Sequence, residues 1–201
     1  MKVLACTGGI GSGKTYVVSV FANMGVPVYD SDDRAKLLYD RDSLLLEQMV
    51  SLLGREIVKN GVLQRDIVAG KIFNDKVLLT KVEEIVHPAV VRDFNDWKET
   101  IVQQREGTPA PFVIFESAII LEKPLVRRIA DKILTVSAPL EMRVERVMRR
   151  DCVSQERVRE RIAAQWDDNK RESMADFIIF ADGKRALLPQ IIAVVDTMRK
   201  L

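Results

Sequence analysis

Two cysteines, one histidine and two tryptophans are all that this 201-residue chain holds of those types. Cys6 and Cys152 lie far apart, and Cys6 falls in an apolar run, so no disulfide framework is expected. A chain of that kind suits a reducing compartment, the cytoplasm. The lone His87 excludes a zinc centre, which recruits several ligands. Neither sign of charge dominates: 31 basic against 29 acidic residues leave a net +2. That balance excludes a general nucleic-acid binder with a one-sided field, and makes any functional positive charge a local matter. No apolar stretch approaches the ~20 residues of a membrane helix. The apolar run ahead of Cys6 is too short for a signal sequence. Repeats, low-complexity tracts and flexible linkers are missing as well.

What the chain does have is apolar content, 47%, enough for a full core without a metal or disulfide staple. It also has one unusually informative stretch, Gly8-Gly9-Ile10-Gly11-Ser12-Gly13-Lys14-Thr15, which fits the phosphate-binding pattern G-x-x-x-x-G-K-[ST] at each fixed position. The apolar run Val3–Cys6 reads as a buried strand before it, and Val17, Val18, Phe21 and Met24 read as one face of a helix after it. Strand, glycine loop and helix form the context this motif needs. Glycines let main-chain amides converge on phosphate oxygens, and the helix start adds partial positive charge. Lys14 is expected to span the β- and γ-phosphates of a nucleoside triphosphate, and the Thr15 hydroxyl to hold Mg²⁺.

Along the chain, Gly25 and Pro27 stop the first helix, and Val26–Tyr29 reads as a second strand ending at Asp30-Ser31-Asp32-Asp33. From Arg34 to about Arg105 the pattern is helical, with a turn at Asn60-Gly61, a break at His87-Pro88 and no convincing strand. Residues 107–111 read as a loop. Phe112–Phe115, Ile133–Val136 and Phe177–Phe180 are three further strands, and Leu187–Met198 a last helix. A charged helical pair, broken near Cys152-Val153, precedes the final strand. Trp97 and Trp166 fall in predicted helices as packing residues. Strands separated by helices predict a five-stranded parallel sheet covered on both faces. The expected organisation is a single unit over 1–201: a core of 1–33, 107–138 and 168–201, a helical insert at 34–106 and a lid at 139–167.

Two segments stay open on residue chemistry alone. Asp30–Asp33 either caps the following helix or supplies a carboxylate that takes a proton from an acceptor hydroxyl; one aspartate can cap while another reacts. Arg146, Arg149 and Arg150, followed by Arg157 and Arg161, either lace an exposed helix with the interleaved acids or close over the donor and offset charge on the transferring group. Asn169-Lys170-Arg171-Glu172 misses the aspartate of a guanine-specifying motif and does not follow a strand.

In sum these stretches resemble the dephospho-coenzyme A kinase family. Thr7–Thr15 is similar to its phosphate loop, and Val28-Tyr29-Asp30-Ser31-Asp32 to its second-strand motif, in which the last aspartate is the catalytic base. Gly61-Val62-Leu63-Gln64-Arg65, Ile72-Phe73 and His87-Pro88 resemble its coenzyme-binding helical domain, and Arg146, Arg150, Asp151, Glu156, Arg161 and Gln165 its lid. The resemblance implies a P-loop kinase fold that moves a phosphoryl group from ATP, with Mg²⁺, to the ribose 3′-hydroxyl of dephospho-CoA. Asp32, Lys14 and Arg150 are then the catalytic residues. Gly8, Gly9, Gly11, Ser12, Gly13, Lys14, Thr15, Tyr16, Arg146 and Arg150 bind the nucleotide. Asp32, Arg65, Ile72, Phe73, His87, Pro88 and Arg161 bind the acceptor, and Thr15 and Glu116 serve the metal. Two departures stand out: Glu116-Ser117-Ala118 where the family often has aspartate, a hydrophobic residue and proline, and Ala181-Asp182-Gly183 where it often has asparagine near the adenine. The expected partner is a small molecule, not nucleic acid or membrane, and the chain a monomer or weak oligomer. Another small-molecule P-loop kinase, acting on a nucleoside or nucleotide, shares all but the insert; a non-catalytic nucleotide switch is the rival of a different class.

Overall fold

The run Lys2–Gly8 (β1) is buried at every position after Lys2, as expected of a central strand covered on both faces. In the computed structural model, which describes residues 1–73, 75–104 and 111–201, it is the middle strand of five. With Val28–Asp30 (β2), Phe112–Glu116 (β5), Lys132–Ser137 (β6) and Phe177–Phe180 (β7), the order is β2-β5-β1-β6-β7. The sheet is parallel, as expected. Cys6 lies opposite Glu116 on one side, and Gly8 opposite Val136 on the other. The register therefore brings the glycine loop and Glu116 to the carboxyl ends of adjacent strands, where α/β sheets bind ligands.

Two compact units make up the chain: residues 1–29 with 100–201, and residues 30–99. In the first, Lys14–Asn23 (α1) buries Val17, Val18 and Phe21, and Leu187–Met198 (α10) buries Ile191, Val194 and Val195. Both helices press on one face of the sheet, around Leu4, Cys6, Ile114 and Leu134. Aspartates finish the strand entrances. The Asp131 carboxylate accepts from Val3 N at 2.8 Å, and that of Asp176 from Ile133 N at 2.8 Å, which pairs amides left over where the strands begin. A single turn, Pro124–Arg127 (α6), precedes β6, and the charged pair after it is Leu140–Asp151 (α7) and Gln155–Ala163 (α8), with Cys152 in the left-handed region between them. Trp166 departs from expectation. It lies after α8 and before the short helix Asp168–Ser173 (α9), with Lys170 Nζ 3.7 Å from its ring centre. Asp167 explains the break, because its carboxylate accepts from Asn169 N and starts α9 afresh.

In the second unit, Ser31–Arg41 (α2) and Ser43–Leu53 (α3) are followed by Arg65–Ile72 (α4) and by Lys76–Gln104 (α5), which runs on beyond residue 99. Aspartates start three of these helices: Asp30 for α2, Asp42 for α3, and Asp75, whose side chain accepts from Leu78 N. Two expectations fail here. The turn at Asn60-Gly61 joins a pair of two-residue strands, Val58–Lys59 (β3) and Val62–Leu63 (β4), with both turn residues at positive φ. Asn-Gly is the preferred tip of a tight hairpin, and each strand is too short to show alternation. Pro88 does not break its helix. α5 continues through it, with Val82, Ala89, Val90 and Phe94 buried along its length. That packing outweighs the roughly 3 kcal/mol a proline costs inside a helix. The loop expected at 107–110 lies outside the described residues.

Candidate active site

Gly13 adopts a left-handed conformation (φ 94) and opens α1 at Lys14, so the motif lysine and threonine form its first turn. Lys14 Nζ forms an ion pair with Glu116, and Thr15 Oγ1 lies 3.4 Å from the same Glu116 oxygen. Glu116 is 5% exposed at the end of β5. A buried carboxylate is costly without partners, and these two residues are its partners. Cys6, beside Glu116 in register, is wholly buried, and that burial pushes its thiol up to about 12. It stays protonated and inert. Ala118 keeps a main-chain role: its carbonyl accepts from Thr7 Oγ1 at 3.3 Å.

The glycine loop rests on α7. A Cβ added at Gly9 would come within 2.7 Å of Arg143 Cζ, and one at Gly11 within 2.5 Å of the Arg143 carbonyl oxygen. Only glycine allows so close an approach, and Gly11 also has φ 79. Arg146 donates to the Gly11 and Ser12 carbonyls at 3.3 and 3.2 Å, and to Ala181 O at 2.9 Å. It thus joins the loop to the segment after β7. Asp182 turns that segment by accepting from the Lys184 and Arg185 amides, which hold its carboxyl below the ordinary value. Arg185 covers the Phe180 ring at 3.9 Å. Tyr16 is exposed on α1, and the Ser12 hydroxyl is buried.

Arg150 lies at the far end of α7. Its Nε donates to Asp151 Oδ1 at 2.7 Å, and Arg161 reaches the other oxygen of the same carboxylate at 2.8 Å. Hydrogen bonding from Arg150, with Arg161 in support, holds the Asp151 carboxyl below its usual range. In this arrangement Arg150 and Arg161 share Asp151, while Arg146 reaches the loop.

Within the second unit, the choice between cap and reactive carboxylate is divided. Asp30 is the cap, accepting from the Asp32 and Asp33 amides at 3.0 Å each, and the Asp32 side chain is exposed in the first turn of α2. Arg65 opens α4, donates to Lys36 O at 3.0 Å and lies 3.7 Å from Asp40. It borders a cavity of about 500 Å³ lined also by Asp40, Gln64 and Asp66. Phe73 is 84% exposed, Ile72 less so, and His87 and Pro88 are half-buried on α5. Bidentate bonds from Arg34 to Asp93, at 2.8 and 2.6 Å, tie α2 to α5.

Sequence reasoning missed Arg143, Asp168 and Arg171. Arg143 forms an ion pair with Asp168, which pairs also with Arg171, and both arginines are buried. The available signal was spacing: Arg143 lies one turn before Arg146 and beside Val144 and Val147, on the edge of the apolar stripe.

Among the described residues no group of three or more His, Cys, Asp or Glu gathers for a metal, and no helix is long and apolar enough to cross a membrane. The family model for dephospho-CoA kinase matches residues 2–186. A dephospho-CoA kinase of Porphyromonas gingivalis is 34% identical over 200 residues, covering 99% of this chain and 95% of that protein. A Thermus thermophilus protein of known crystal structure superimposes with a TM-score of 0.77 at 30% identity, covering 100% and 97% of the two chains. A dephospho-CoA kinase structure from Campylobacter jejuni gives 0.69 at 22% identity, covering 100% and 98%, a likeness of fold.

Proposed function

The chain belongs to the dephospho-CoA kinase family, and on that premise we propose how its residues divide the transfer of a phosphoryl group from ATP to the ribose 3′-hydroxyl of dephospho-CoA, the last step of coenzyme A biosynthesis. The observation that carries the assignment is the meeting of Lys14, Thr15 and Glu116 under the glycine loop. Main-chain amides of Gly11, Gly13, Lys14 and Thr15 receive the β- and γ-phosphates, and Lys14 exchanges Glu116 for phosphate oxygens as the nucleotide enters. Arg146 holds the loop from the side of the nucleotide, and Arg150 leaves Asp151 to meet charge developing on the transferring group. Asp32 accepts the proton of the acceptor hydroxyl. Arg65, Ile72, Phe73, His87 and Arg161 belong to binding of the acceptor, Arg65 through its phosphates.

Mg²⁺ fits this site. Thr15 Oγ1 and Glu116 are hard oxygens side by side, and Mg²⁺ takes few protein ligands, completing its shell with phosphate and water. It would be held by Thr15 and, through water, by Glu116, and would supply neutralisation of charge on the β- and γ-phosphates. Two unpaired cysteines support residence in the reducing cytoplasm.

The test is an acceptor screen that follows ADP release with dephospho-CoA, nucleosides and nucleotides in turn. Dephospho-CoA is expected to be preferred; a nucleotide that outperforms it favours the sister kinase, and hydrolysis without transfer to any acceptor favours a switch. Asp32→Asn is expected to lower turnover by ~10²–10⁴-fold with ATP affinity nearly intact. Full turnover in that variant removes the role given to Asp32.

A further inference from the structure

Both polar groups of the Ile10 main chain are held from outside the loop. Its N–H donates to Gln165 Oε1 at 2.8 Å, and its carbonyl accepts from Arg143 Nε at 2.9 Å. Arg143 carries its charge at 2% exposure, and burial pulls its guanidinium below the usual value without removing the charge. Asp168 takes another nitrogen of Arg143 and also pairs with Arg171, 3% exposed, whose remaining arm donates to Trp166 O at 3.0 Å. Stability alone does not call for two buried arginines, since well-packed apolar side chains usually serve a core as well as a buried ion pair does.

The peptide between Ile10 and Gly11 is trans, so the Ile10 C=O and the Gly11 N–H lie in one plane and point in opposite directions, on either side of the C–N bond. An arginine that draws the carbonyl toward α7 therefore turns the following amide away from α7, into the hollow of the loop. Gly11 at φ 79, pressed against the Arg143 carbonyl, completes the turn. We propose that Arg143 is a positioning residue that aims the Gly11 amide at the donor's phosphates without touching the nucleotide, held in place by Asp168 and seconded by Gln165. Arg143 is thus joined to the phosphates by one rigid peptide. The inference rests on the phosphate-loop reading given above.

ADP titrated into the ¹⁵N-labelled full-length chain tests it, read by amide shifts and by calorimetry. In the wild type the Gly11, Lys14 and Thr15 amides are all expected to move. Arg143→Met is expected to weaken ADP by about tenfold or more and to abolish the Gly11 displacement while the Lys14 and Thr15 amides still move. Arg143→Lys, which keeps the charge, restores part of both. If Arg143→Met does not give a dispersed spectrum, Asp168→Asn carries the same test, with affinity lowered roughly threefold and a smaller Gly11 displacement. A Gly11 amide that moves as in the wild type, or equal loss of movement at all three amides in a folded variant, overturns the proposal. A wild-type chain that binds no ADP overturns the phosphate-loop assignment first, and this inference with it.

Discussion

The two ends of α7 carry the same kind of side chain under opposite conditions. At the first, Arg143 is 2% exposed and Arg146 half-buried, and both donate to main-chain carbonyls of the loop. At the second, side-chain exposure is 77% for Arg149 and 64% for Arg150, and their partners are Glu145 and Asp151. An arginine tied to loop carbonyls cannot leave without releasing the loop. Arg150 is tied to a side-chain carboxylate rather than to a loop carbonyl, so it can leave Asp151 without releasing the loop. Charge used for shape and charge held in reserve therefore occupy one helix. In any lid formed from 139–167, the residues up to Arg146 are its fixed root.

Gly11→Ala should break the first end most severely. The added methyl carbon would meet the Arg143 carbonyl oxygen at 2.5 Å and Val147 Cγ2 at 2.9 Å, so the α7 backbone itself has to move. ADP affinity is expected to fall by about 100-fold in calorimetry, since several loop amides lose their aim together. Gly61 provides the control. Its φ of 78 nearly matches the 79 of Gly11, but beyond its chain neighbours no atom of the described residues lies within 4 Å of where its Cβ would go. Gly61→Ala should leave ADP affinity unchanged and lower stability by only ~1–2 kcal/mol, the cost of the left-handed region. A stability loss for Gly11→Ala no larger than that for Gly61→Ala would mean that dihedral strain, not contact with α7, sets the cost at Gly11.

What could be read from sequence follows how local each cause is. The inner strands β1, β5 and β6 were legible as apolar runs, because burial on both faces leaves an unbroken hydrophobic signature, and the partly buried edge strands β2 and β7 as shorter runs between helical stretches. The phosphate-loop pattern was legible because its glycines and Lys14-Thr15 stand at fixed spacing. Asp30 and Asp32 were legible as a pair, but only coordinates separate the cap from its exposed neighbour. The β3–β4 hairpin escaped because two-residue strands carry no period, and the passage of α5 through Pro88 escaped because packing along a long helix overrides a local penalty. Arg143 was invisible for a different reason. A charged residue in a charged helix reads as solvated, and its burial depends on Asp168 and Arg171, 25 and 28 positions away in a segment whose approach the sequence does not announce. The glycine-loop motif was readable; the arginine scaffold packed against it was not.

A smaller effect sharpens the contrast between the ends. Arg146→Ala removes bonds to the Gly11, Ser12 and Ala181 carbonyls and leaves those acceptors short of partners. A loss of about 1.5–3 kcal/mol is expected in urea unfolding, hardly changed by salt because the pairing is with backbone rather than with carboxylate. Arg149→Ala removes an exposed pair with Glu145 one turn away, and should cost no more than ~0.5 kcal/mol, vanishing at high ionic strength. Similar losses for the two, or a strong salt dependence for Arg146, would erase the distinction between shaping and reserve charge.

The smallest effect concerns the joint where α7 ends. Cys152 stands there at φ 53 and ψ 43, its N–H donating to Met148 O, in the conformation that usually stops a helix with glycine. A side chain in that region costs roughly 1–2 kcal/mol, partly offset in the glycine variant by its freer unfolded chain. Cys152→Gly should therefore raise stability by about 0.5–1 kcal/mol in urea titration, while Cys152→Val, branched at Cβ, should lower it by a similar amount or more. The thiol is exposed, so neither change opens a cavity, and the loop at the other end of the helix should keep its ADP affinity in both. Retained affinity together with altered stability would show that the exposed end of α7 can be loosened or tightened without disturbing the end that holds the glycine loop. A change in affinity that tracks the change in stability would instead make α7 one rigid lever, and Arg150 could not then move independently of Arg143.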